Sequence, residues 1–244
     1  PDLNTKRVKQ MTREYMASVS GVDRNLGRLL TTLDELKFAD NTVVIFSSDH
    51  GYNMGHNGIW HKGNGHWVVN QPPAAGENIP RGQRPNMYDH SIRIPTAIRW
   101  PGKVKAGTTI TQTISILDVY PTLCAIAGVD LPEGETIRGR NFLPLVQGTQ
   151  IDNWDNDFYA QYSTHHQSRT HMRMMRTPQW KLVRDFLNPQ RDELYNLVDD
   201  PAERHNLIDA DDQQTKATIA QLHAKIISHM KATDDPALKL ALER

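Results

Sequence analysis

The chain has 244 residues, which is enough for one large domain or for a domain with a small appendage. Its 28 basic and 28 acidic side chains balance, and the basic ones are scattered, so the composition argues against a nucleic-acid-binding protein. No apolar run approaches the roughly 20 residues that span a bilayer, and we expect no membrane span. The single cysteine excludes an intrachain disulfide and leaves the redox compartment open.

The first part of the chain has the pattern of an α/β fold. Apolar residues recur at intervals of three and four over residues 5–37, which predicts one long amphipathic helix. The β-branched run at 42–46 predicts a short strand buried on both faces, as in the centre of a parallel sheet. A second strand is predicted at 94–99 and another extended stretch at 109–117, followed by a helix that Asp118 caps.

The pattern changes after residue 150. Short strand-like runs separated by turns predict an antiparallel meander, and residues 211–232 predict a final helix. The runs are Phe158–Tyr162, Met172–Arg176, Trp180–Phe186 and Glu193–Tyr195. The sequence therefore predicts an α/β domain over residues 1–150 and a smaller α+β domain over 151–244.

Chemistry is expected directly after the first predicted strand, where Asp49 and His50 stand before Gly51. In open α/β sheets, ligands bind beyond the carboxyl ends of the strands. The Asp49 carboxylate suits Ca²⁺ or Mg²⁺, and His50 can ligate a metal or donate a hydrogen bond to an anion. Taken alone, so short a motif more often describes a turn-capping aspartate beside an exposed histidine.

The long segment 47–90 has little apolar periodicity, as is usual for a functional or a disordered loop. It presents Lys62 among glycines, flanked by His56 and His61. A lysine in a glycine-rich loop beside a metal site is a good ligand for an oxyanion, whereas a solvated lysine would not account for the glycines. The stretch 67–84 predicts either a wall of a substrate cleft or a solvated surface insertion.

The ordered series of motifs resembles the second half of the sulfatase pattern, from about residue 22 to about residue 207. The segments that carry the resemblance are Ser48–Gly51, Gly55, Gly58 and Lys62, Tyr88–Asp89, Arg93–Pro95, Trp100–Gly102, Asp118–Leu123, Trp180–Val183, Glu193–Leu197, Asp200–Glu203 and Asn206–Leu207. The resemblance implies an alkaline-phosphatase-like α/β sheet with a smaller α+β C-terminal subdomain. It also implies hydrolysis of sulfate esters or sulfamates with Ca²⁺, or else Mg²⁺.

The resemblance also implies roles for individual residues. Asp49 and His50 match the metal-ligating pair of the family, and Lys62 matches the lysine that contacts the sulfate oxygens. His56 and His61 flank Asn57, where many members of the family have a histidine, so they are candidates for substrate contacts, although the resemblance transfers no role to them. The implied partner is a sulfated small molecule or glycan, and the family favours a periplasmic or secreted location.

A second polar cluster lies in the strand-rich part of the chain. It contains His165, His166, Arg169 and His171, and His166 is its candidate for a substrate contact. Alternation along a strand would place His165 and His166 on opposite faces, which argues against a joint metal site.

The chain departs from the family pattern in several places. It has no Cys-x-Pro-x-Arg motif, which in the family supplies the formylglycine nucleophile, and Cys124 lies on an apolar helix face where we expect it to pack in the core. The other metal ligands and the proton donor also precede this region in the family. Asn57 replaces a frequent histidine, and Pro1 begins the chain without a methionine or a signal-peptide pattern. We therefore expect the chain alone to be inactive and to lack an N-terminal half, as a fragment or as one piece of an assembled enzyme.

Two other functions remain open from the sequence. One is a phosphoesterase or phosphonate hydrolase of the same superfamily, because a metal pair and a lysine suit either tetrahedral anion. The other is a non-catalytic metal-binding or carbohydrate-binding remnant of a sulfatase.

Overall fold

The computed structural model describes residues 2–243. Pro1, which begins the first predicted domain, and Arg244, which ends the second, lie outside the described residues. The helices are α1 (Thr5–Glu35), α2 (Asp89–Ile92), α3 (Val119–Ala127), α4 (Leu143–Val146), α5 (Gln213–Ala232) and α6 (Leu238–Leu242). The strands are β1 (Val44–Phe46), β2 (Asn53–Met54), β3 (Ile59–His61), β4 (Asn64–Trp67), β5 (Gln83–Pro85), β6 (Ala97–Arg99), β7 (Phe158–His165), β8 (Arg169–Arg176), β9 (Trp180–Asp185) and β10 (Glu193–Asn196).

The chain forms two compact units, each assembled from separate stretches of sequence. The first unit contains residues 2–12, 50–93 and 157–243, and the second contains Arg13–Asp49 and Ile94–Asn156. The division near residue 150 stays a prediction about domains. Within the part of the chain that the structure describes, no helix is long and apolar enough to cross a membrane.

The predicted meander and final helix are present in the first unit. Its larger sheet has the antiparallel order β10-β9-β8-β7, so consecutive strands are neighbours. Asp212 caps the N-terminus of helix α5, where its carboxylate accepts a hydrogen bond from the Thr215 N–H. Its buried residues Leu222, Ile226 and Met230 pack in one cluster with residues of the sheet. Each such buried side chain stabilises the fold by about 1.5–3 kcal/mol.

The first unit also contains a small sheet that the sequence did not predict. Strands β2, β3, β4 and β5 form a four-stranded antiparallel sheet inside the segment predicted as one long loop. The strands are only two to four residues long, and they are rich in polar residues and glycine. Strands this short cannot show the alternation over four to eight residues by which a strand is recognised in a sequence.

The second unit corrects the predicted central parallel strand. Strand β1 pairs antiparallel with β6, with Ile45 opposite Ile98, and within residues 2–243 it has no other partner strand. It is also not buried, since Phe46 is 41% exposed. An apolar run indicates apolar surroundings, but it does not specify the direction or number of neighbouring strands.

Helix α1 confirms the predicted amphipathic helix without showing a partner for its apolar face. None of its residues Thr5–Glu35, all of which are described, is buried. The apolar side chains of Val19, Val22 and Leu29 are about half exposed. The periodicity therefore predicted the helix correctly, because the same residues share one face whether or not that face is covered.

Three smaller predictions in the second unit are wrong. The stretch predicted to be extended over residues 109–117 instead ends in a 3-10 helix that begins at Ile116. Asp118 does not cap α3 through its side chain, because its carboxylate accepts hydrogen bonds from the backbone N–H groups of Ser115 and Arg140 instead. Cys124 is only half-buried and does not pack in the core. The buried residues of the nine-residue helix α3 are Pro121 and Thr122. The core of this unit consists of Phe142, Leu145 and Val146 with the side chains around them.

Candidate active site

Asp49 and His50 follow the end of β1, as the sequence predicted. Asp49 is exposed and His50 is half-buried. The Nδ1 atom of His50 lies 2.8 Å from the Gly51 carbonyl oxygen, which can only accept a hydrogen bond. In the neutral ring, Nδ1 therefore carries the proton and Nε2 holds the lone pair that a metal ligand needs.

Gly51 is required by the close approach of two backbone segments. Its N–H donates to the Ser91 carbonyl oxygen at 2.9 Å. A Cβ atom at Gly51 would lie 2.2 Å from the carbonyl oxygen of His90. This distance is far below van der Waals contact, and the neighbour is backbone that cannot rotate away. Position 51 therefore has to be a glycine, because any larger side chain would collide with the backbone of His90.

We expect Gly51→Ala to destabilise the protein by about 1–3 kcal/mol, because an added methyl group would overpack this backbone contact. The matched control is Gly21→Ala in α1, where, apart from Gly21, its two neighbours and the backbone of its own helix, no atom of the described chain lies within 4 Å of the added Cβ. That change should stabilise the helix by about 0.5–1 kcal/mol. Urea unfolding of the two variants measures the difference, and equal stabilities would contradict the steric argument.

Lys62 lies in the tight turn between β3 and β4. His61 before it and Gly63 after it both have positive φ, at +81° and +53°. The left-handed conformation at His61 costs about 1–2 kcal/mol, so the surrounding contacts must hold it. Lys62 is half-buried, and its ammonium group has no ion-pair partner among the described residues of its unit. The turn therefore presents an uncompensated positive charge.

The Lys62 turn is fixed by residues that the sequence analysis missed. The backbone N–H and the side-chain amide of Asn86 both donate to the Gly63 carbonyl oxygen at 2.9 Å. The Ser168 hydroxyl donates to Oδ1 of Asn64 at 2.9 Å. The ring of Tyr162 lies so close that a Cβ at Gly63 would be 3.1 Å from its hydroxyl oxygen. These residues come from distant parts of the chain, so no local pattern could have identified them.

Ser91 connects the two segments that carry the motifs. Its carbonyl accepts from the Gly51 N–H, while its hydroxyl donates to Oδ1 of Asn86 at 2.7 Å. The same hydroxyl accepts from the Asn53 side-chain amide at 2.6 Å. Asn53, Asn86 and Ser91 are at most 4% exposed, so water does not compete for these bonds. Through Ser91 and Asn86, the Gly51 segment and the Lys62 turn are held in one hydrogen-bond network.

His56 and His61 differ in the proton that each can offer. The Nδ1 atom of His56 accepts from the Met54 N–H at 3.3 Å, so the neutral ring carries its proton on Nε2. Its ring stacks on His90 with 3.6 Å between centroids, and burial followed by the charge of His90 lowers the pKa of His56. His61 instead donates from Nδ1 to the Lys62 carbonyl at 3.2 Å. His56 is therefore a neutral Nε2–H donor at pH 7.

In the second histidine cluster, His165 contacts His171 and not His166, the pair considered in the sequence analysis. The rings of His165 and His171 are in edge-to-face contact at 4.9 Å. His166 lies in the turn after β7, where its backbone N–H donates to the Thr164 hydroxyl at 3.4 Å. The structure leaves a substrate contact by His166 untested.

Three of the motif segments meet in a buried ion cluster. Lys181 is fully buried and pairs with both Asp89 and Glu203, and Arg176 reaches Asp89 at 3.0 Å. Burial opposes ionisation of Asp89, but the charges of Lys181 and Arg176 lower its pKa to about 2. The segments Tyr88–Asp89, Trp180–Val183 and Asp200–Glu203 thus share a structural role in holding this unit together.

The described residues do not by themselves assemble a complete metal centre. Among residues 2–243, no group of three or more His, Cys, Asp or Glu side chains is placed to hold a metal ion. The Asp49 carboxylate has the hard oxygen donors that Ca²⁺ prefers, and the imidazole of His50 is a softer donor. These two residues fit part of a ligand set.

Comparisons with known proteins assign the family. The profile described as Sulfatase matches residues 1–129, and the profile described as N-sulphoglucosamine sulphohydrolase, C-terminal, matches residues 83–232. Each match covers more than half of the chain. This chain belongs to the sulfatase family. The resemblance noted in the motif series is thereby confirmed.

Sulfatase relatives match the chain over only part of their own length. Steryl-sulfatase of Rattus norvegicus is 34% identical over 151 residues, which are 61% of this chain and 24% of that protein. N-acetylglucosamine-6-O-sulfatase of Bacteroides thetaiotaomicron is 29% identical over 206 residues, which are 82% of this chain and 32% of that protein. The sulfatase chain described here thus spans about a quarter to a third of these relatives.

Solved structures confirm the predicted fold class. A protein in complex with its substrate D-glucosamine-2-N,6-O-disulfate superimposes with a TM-score of 0.77 at 26% identity, covering 94% of this chain and 42% of that one. The phosphonate monoester hydrolase of Agrobacterium radiobacter has a TM-score of 0.73 at 22% identity, covering 95% and 43%. The second likeness shows the shared fold alone.

Proposed function

We propose that this sulfatase-family chain is part of an enzyme that hydrolyses sulfate esters, and that Lys62 binds the sulfate group. One observation carries the proposal. The Lys62 ammonium has no ion-pair partner among the described residues of its unit, although buried hydrogen bonds from Asn86 fix the turn that holds it. A half-buried cation that is positioned but not neutralised is suited to an oxyanion ligand.

In this proposal Asp49 and His50 are metal ligands. The tautomer of His50 supports the assignment, because its hydrogen bond to the Gly51 carbonyl leaves the lone pair on Nε2. When bound, Ca²⁺ would withdraw charge from the sulfuryl oxygens and so ease cleavage of the ester bond. The remaining ligands, and the formylglycine nucleophile that the family resemblance implies, would come from segments outside this chain.

The side chains of this chain would then bind and orient the sulfate group. Lys62 would neutralise charge on the sulfate oxygens as the S–O bond to the leaving alcohol breaks. His56 would donate a hydrogen bond from Nε2, since its Nδ1 is engaged by the Met54 N–H and its lowered pKa keeps the ring neutral. His61 has its Nδ1 proton bound to the Lys62 carbonyl, so its contribution would be to hold the turn.

We further propose a sulfated saccharide as the substrate class. The support is the match to an N-acetylglucosamine-6-O-sulfatase over 82% of the chain, and the likeness over 94% of the chain to a protein bound to a disulfated glucosamine. The steryl-sulfatase match covers a smaller share, 61% of the chain.

The test is hydrolysis by the full-length protein of p-nitrophenyl sulfate, p-nitrophenyl phosphate and a phenylphosphonate monoester. We expect the sulfate ester to be the preferred substrate, with activity lost in EDTA and restored by Ca²⁺, because the metal stabilises the developing charge. Preference for the phosphate or phosphonate would establish the alternative hydrolase. Absence of hydrolysis of all three, in protein shown to be folded, would establish a non-catalytic family member.

A further inference from the structure

A cleft of about 410 Å³ lies in the first unit, at the end of β4 away from the Lys62 turn. Trp67 at the end of β4, the following loop and the segment 188–193 all contribute to its lining. Its volume lies in the range of roughly 300–1,000 Å³ that is usual for sites of small ligands. The sulfate site proposed above does not use this cleft.

The cleft has one aromatic wall. Trp67 packs against the core cluster formed by Ile59, Tyr88, Tyr195 and Leu197, and it also lines the cleft. It is only partly buried, and its indole N–H has no hydrogen-bond partner among the described residues of its unit. A ring held in this way offers a rigid apolar face with an electron-rich surface, on which the C–H groups of a ligand can stack.

The polar lining contains unpartnered donors and acceptors. Within residues 2–243, Oε1 of Gln83, Nε of Arg191 and Oε2 of Glu193 are buried without a hydrogen-bond partner. Glu193 is only 3% exposed. Buried polar atoms without partners are rare, because each costs about 1–3 kcal/mol. These three atoms are closed to solvent, so a ligand in the cleft would instead meet Gln190, which is exposed and whose amide both donates and accepts hydrogen bonds.

The charges of the cleft balance, which argues against an anionic ligand. The lining contains two basic side chains, Arg84 and Arg191, and two acidic ones, Asp192 and Glu193. Arg84 pairs with Glu193. Arg191 is the remaining cation, and burial, followed by the charge of Arg84, lowers its pKa to about 10. It is therefore still charged at neutral pH, but its Nη2 is already bound to the Pro85 carbonyl at 2.7 Å.

The loop of the cleft is held in place by contacts with the segment opposite. The Asn78 side-chain amide donates to Oδ1 of Asn188 at 3.0 Å, and the Asn78 carbonyl accepts from the Arg169 N–H at 2.8 Å. Pro73 and Pro80, which have few conformations of their own, also line the cleft. The stretch 67–84 is thus a wall of a formed cleft, and such a site loses little entropy when a ligand binds.

We propose that this cleft binds a neutral saccharide unit, with the sugar ring stacked on Trp67 and its hydroxyls bonded to the exposed amide of Gln190. The apolar face, the mixed donors and acceptors and the balanced charge together select a polyhydroxylated, uncharged ring. This inference does not rest on the proposed sulfatase activity, since binding of a neutral sugar requires no turnover.

The test is titration of the full chain with four unsulfated disaccharides, namely lactose, maltose, cellobiose and N,N′-diacetylchitobiose, followed by tryptophan fluorescence. We expect saturable binding of at least one of them. Trp67→Ala should then weaken binding about tenfold or more, whereas Trp67→Phe should retain most of it. The control Trp154→Phe removes a tryptophan of the second unit and should leave the affinity unchanged.

Two further measurements keep the proposal falsifiable if Trp67→Ala is poorly folded. Gln190→Ala changes an exposed residue of the cleft and should weaken binding about threefold without loss of stability. The affinity should also be the same at about 0.05 M and about 0.5 M salt, because the ligand is uncharged. No saturable binding, or binding that is unaffected by both Trp67→Ala and Gln190→Ala, would overturn the proposal. Affinity that falls steeply with salt would also overturn it, in favour of an anion site.

Discussion

Lys62→Ala in the full-length protein should lower kcat/KM for a sulfate ester by about 10²–10³-fold. Removing one preformed donor to a charge that develops in the transition state typically costs about 2.7–4 kcal/mol. Lys62 is such a donor in our proposal, because Asn86 fixes its turn and its charge has no ion-pair partner among the described residues of its unit. Steady-state kinetics on p-nitrophenyl sulfate measures the effect.

The control for this variant is Lys103→Ala, which removes an exposed lysine of the turn after β6. Both variants should unfold at the same urea concentration as the unchanged protein, because neither residue makes an ion pair among the described residues of its own unit. Activity of Lys62→Ala within about twofold of the unchanged protein would refute the proposed role of Lys62 in sulfate binding.

Lys181→Met should destabilise the protein by about 3–5 kcal/mol, because it leaves Asp89 and Glu203 buried without their shared counter-ion. Lys181 is fully buried, and it also donates to the Met87 carbonyl at 3.1 Å. Urea unfolding measures the loss. Lys216→Met is the matched control, because the pair of Lys216 with Asp211 is exposed and should contribute less than about 1 kcal/mol. Equal losses in the two variants would show that the buried cluster does not stabilise the fold.

The Asp89 carboxylate of this cluster contributes an acid dependence of stability, whereas burial raises the pKa of Glu203 beside it. The pKa of Asp89 falls from 3.8 to about 2 on folding, so the folded state favours the ionised carboxylate. Its contribution to the free energy of unfolding is therefore complete above the unfolded pKa and is lost as the pH falls through about 2. The positive charge of Lys181 is one cause of the lowered pKa of Asp89. In Lys181→Met, the loss of unfolding free energy that protonation of Asp89 causes at low pH should therefore be smaller.

Much of the fold could be predicted because its signals are local. Helix α1 and helix α5 have apolar residues at helical intervals, and the strands from β7 to β10 are separated by turns, so the neighbours in the sheet are also neighbours in the chain. Motifs of a few residues also supplied Asp49, His50 and Lys62 as candidates for the site, and their roles stay predictions. Family membership confirms the resemblance of the motif series.

Other features depend on contacts between segments that are far apart in the chain. Sequence periodicity did not reveal the antiparallel partner of β1 or the small sheet from β2 to β5, because their strands are two to four residues long. The support of the Lys62 turn by Asn86, Tyr162 and Ser168, and the meeting of Trp67 with Glu193 across one cleft, arise only when the chain is folded. Local patterns report which residues share a helix or a strand, whereas buried hydrogen bonds and clefts depend on which distant residues become neighbours.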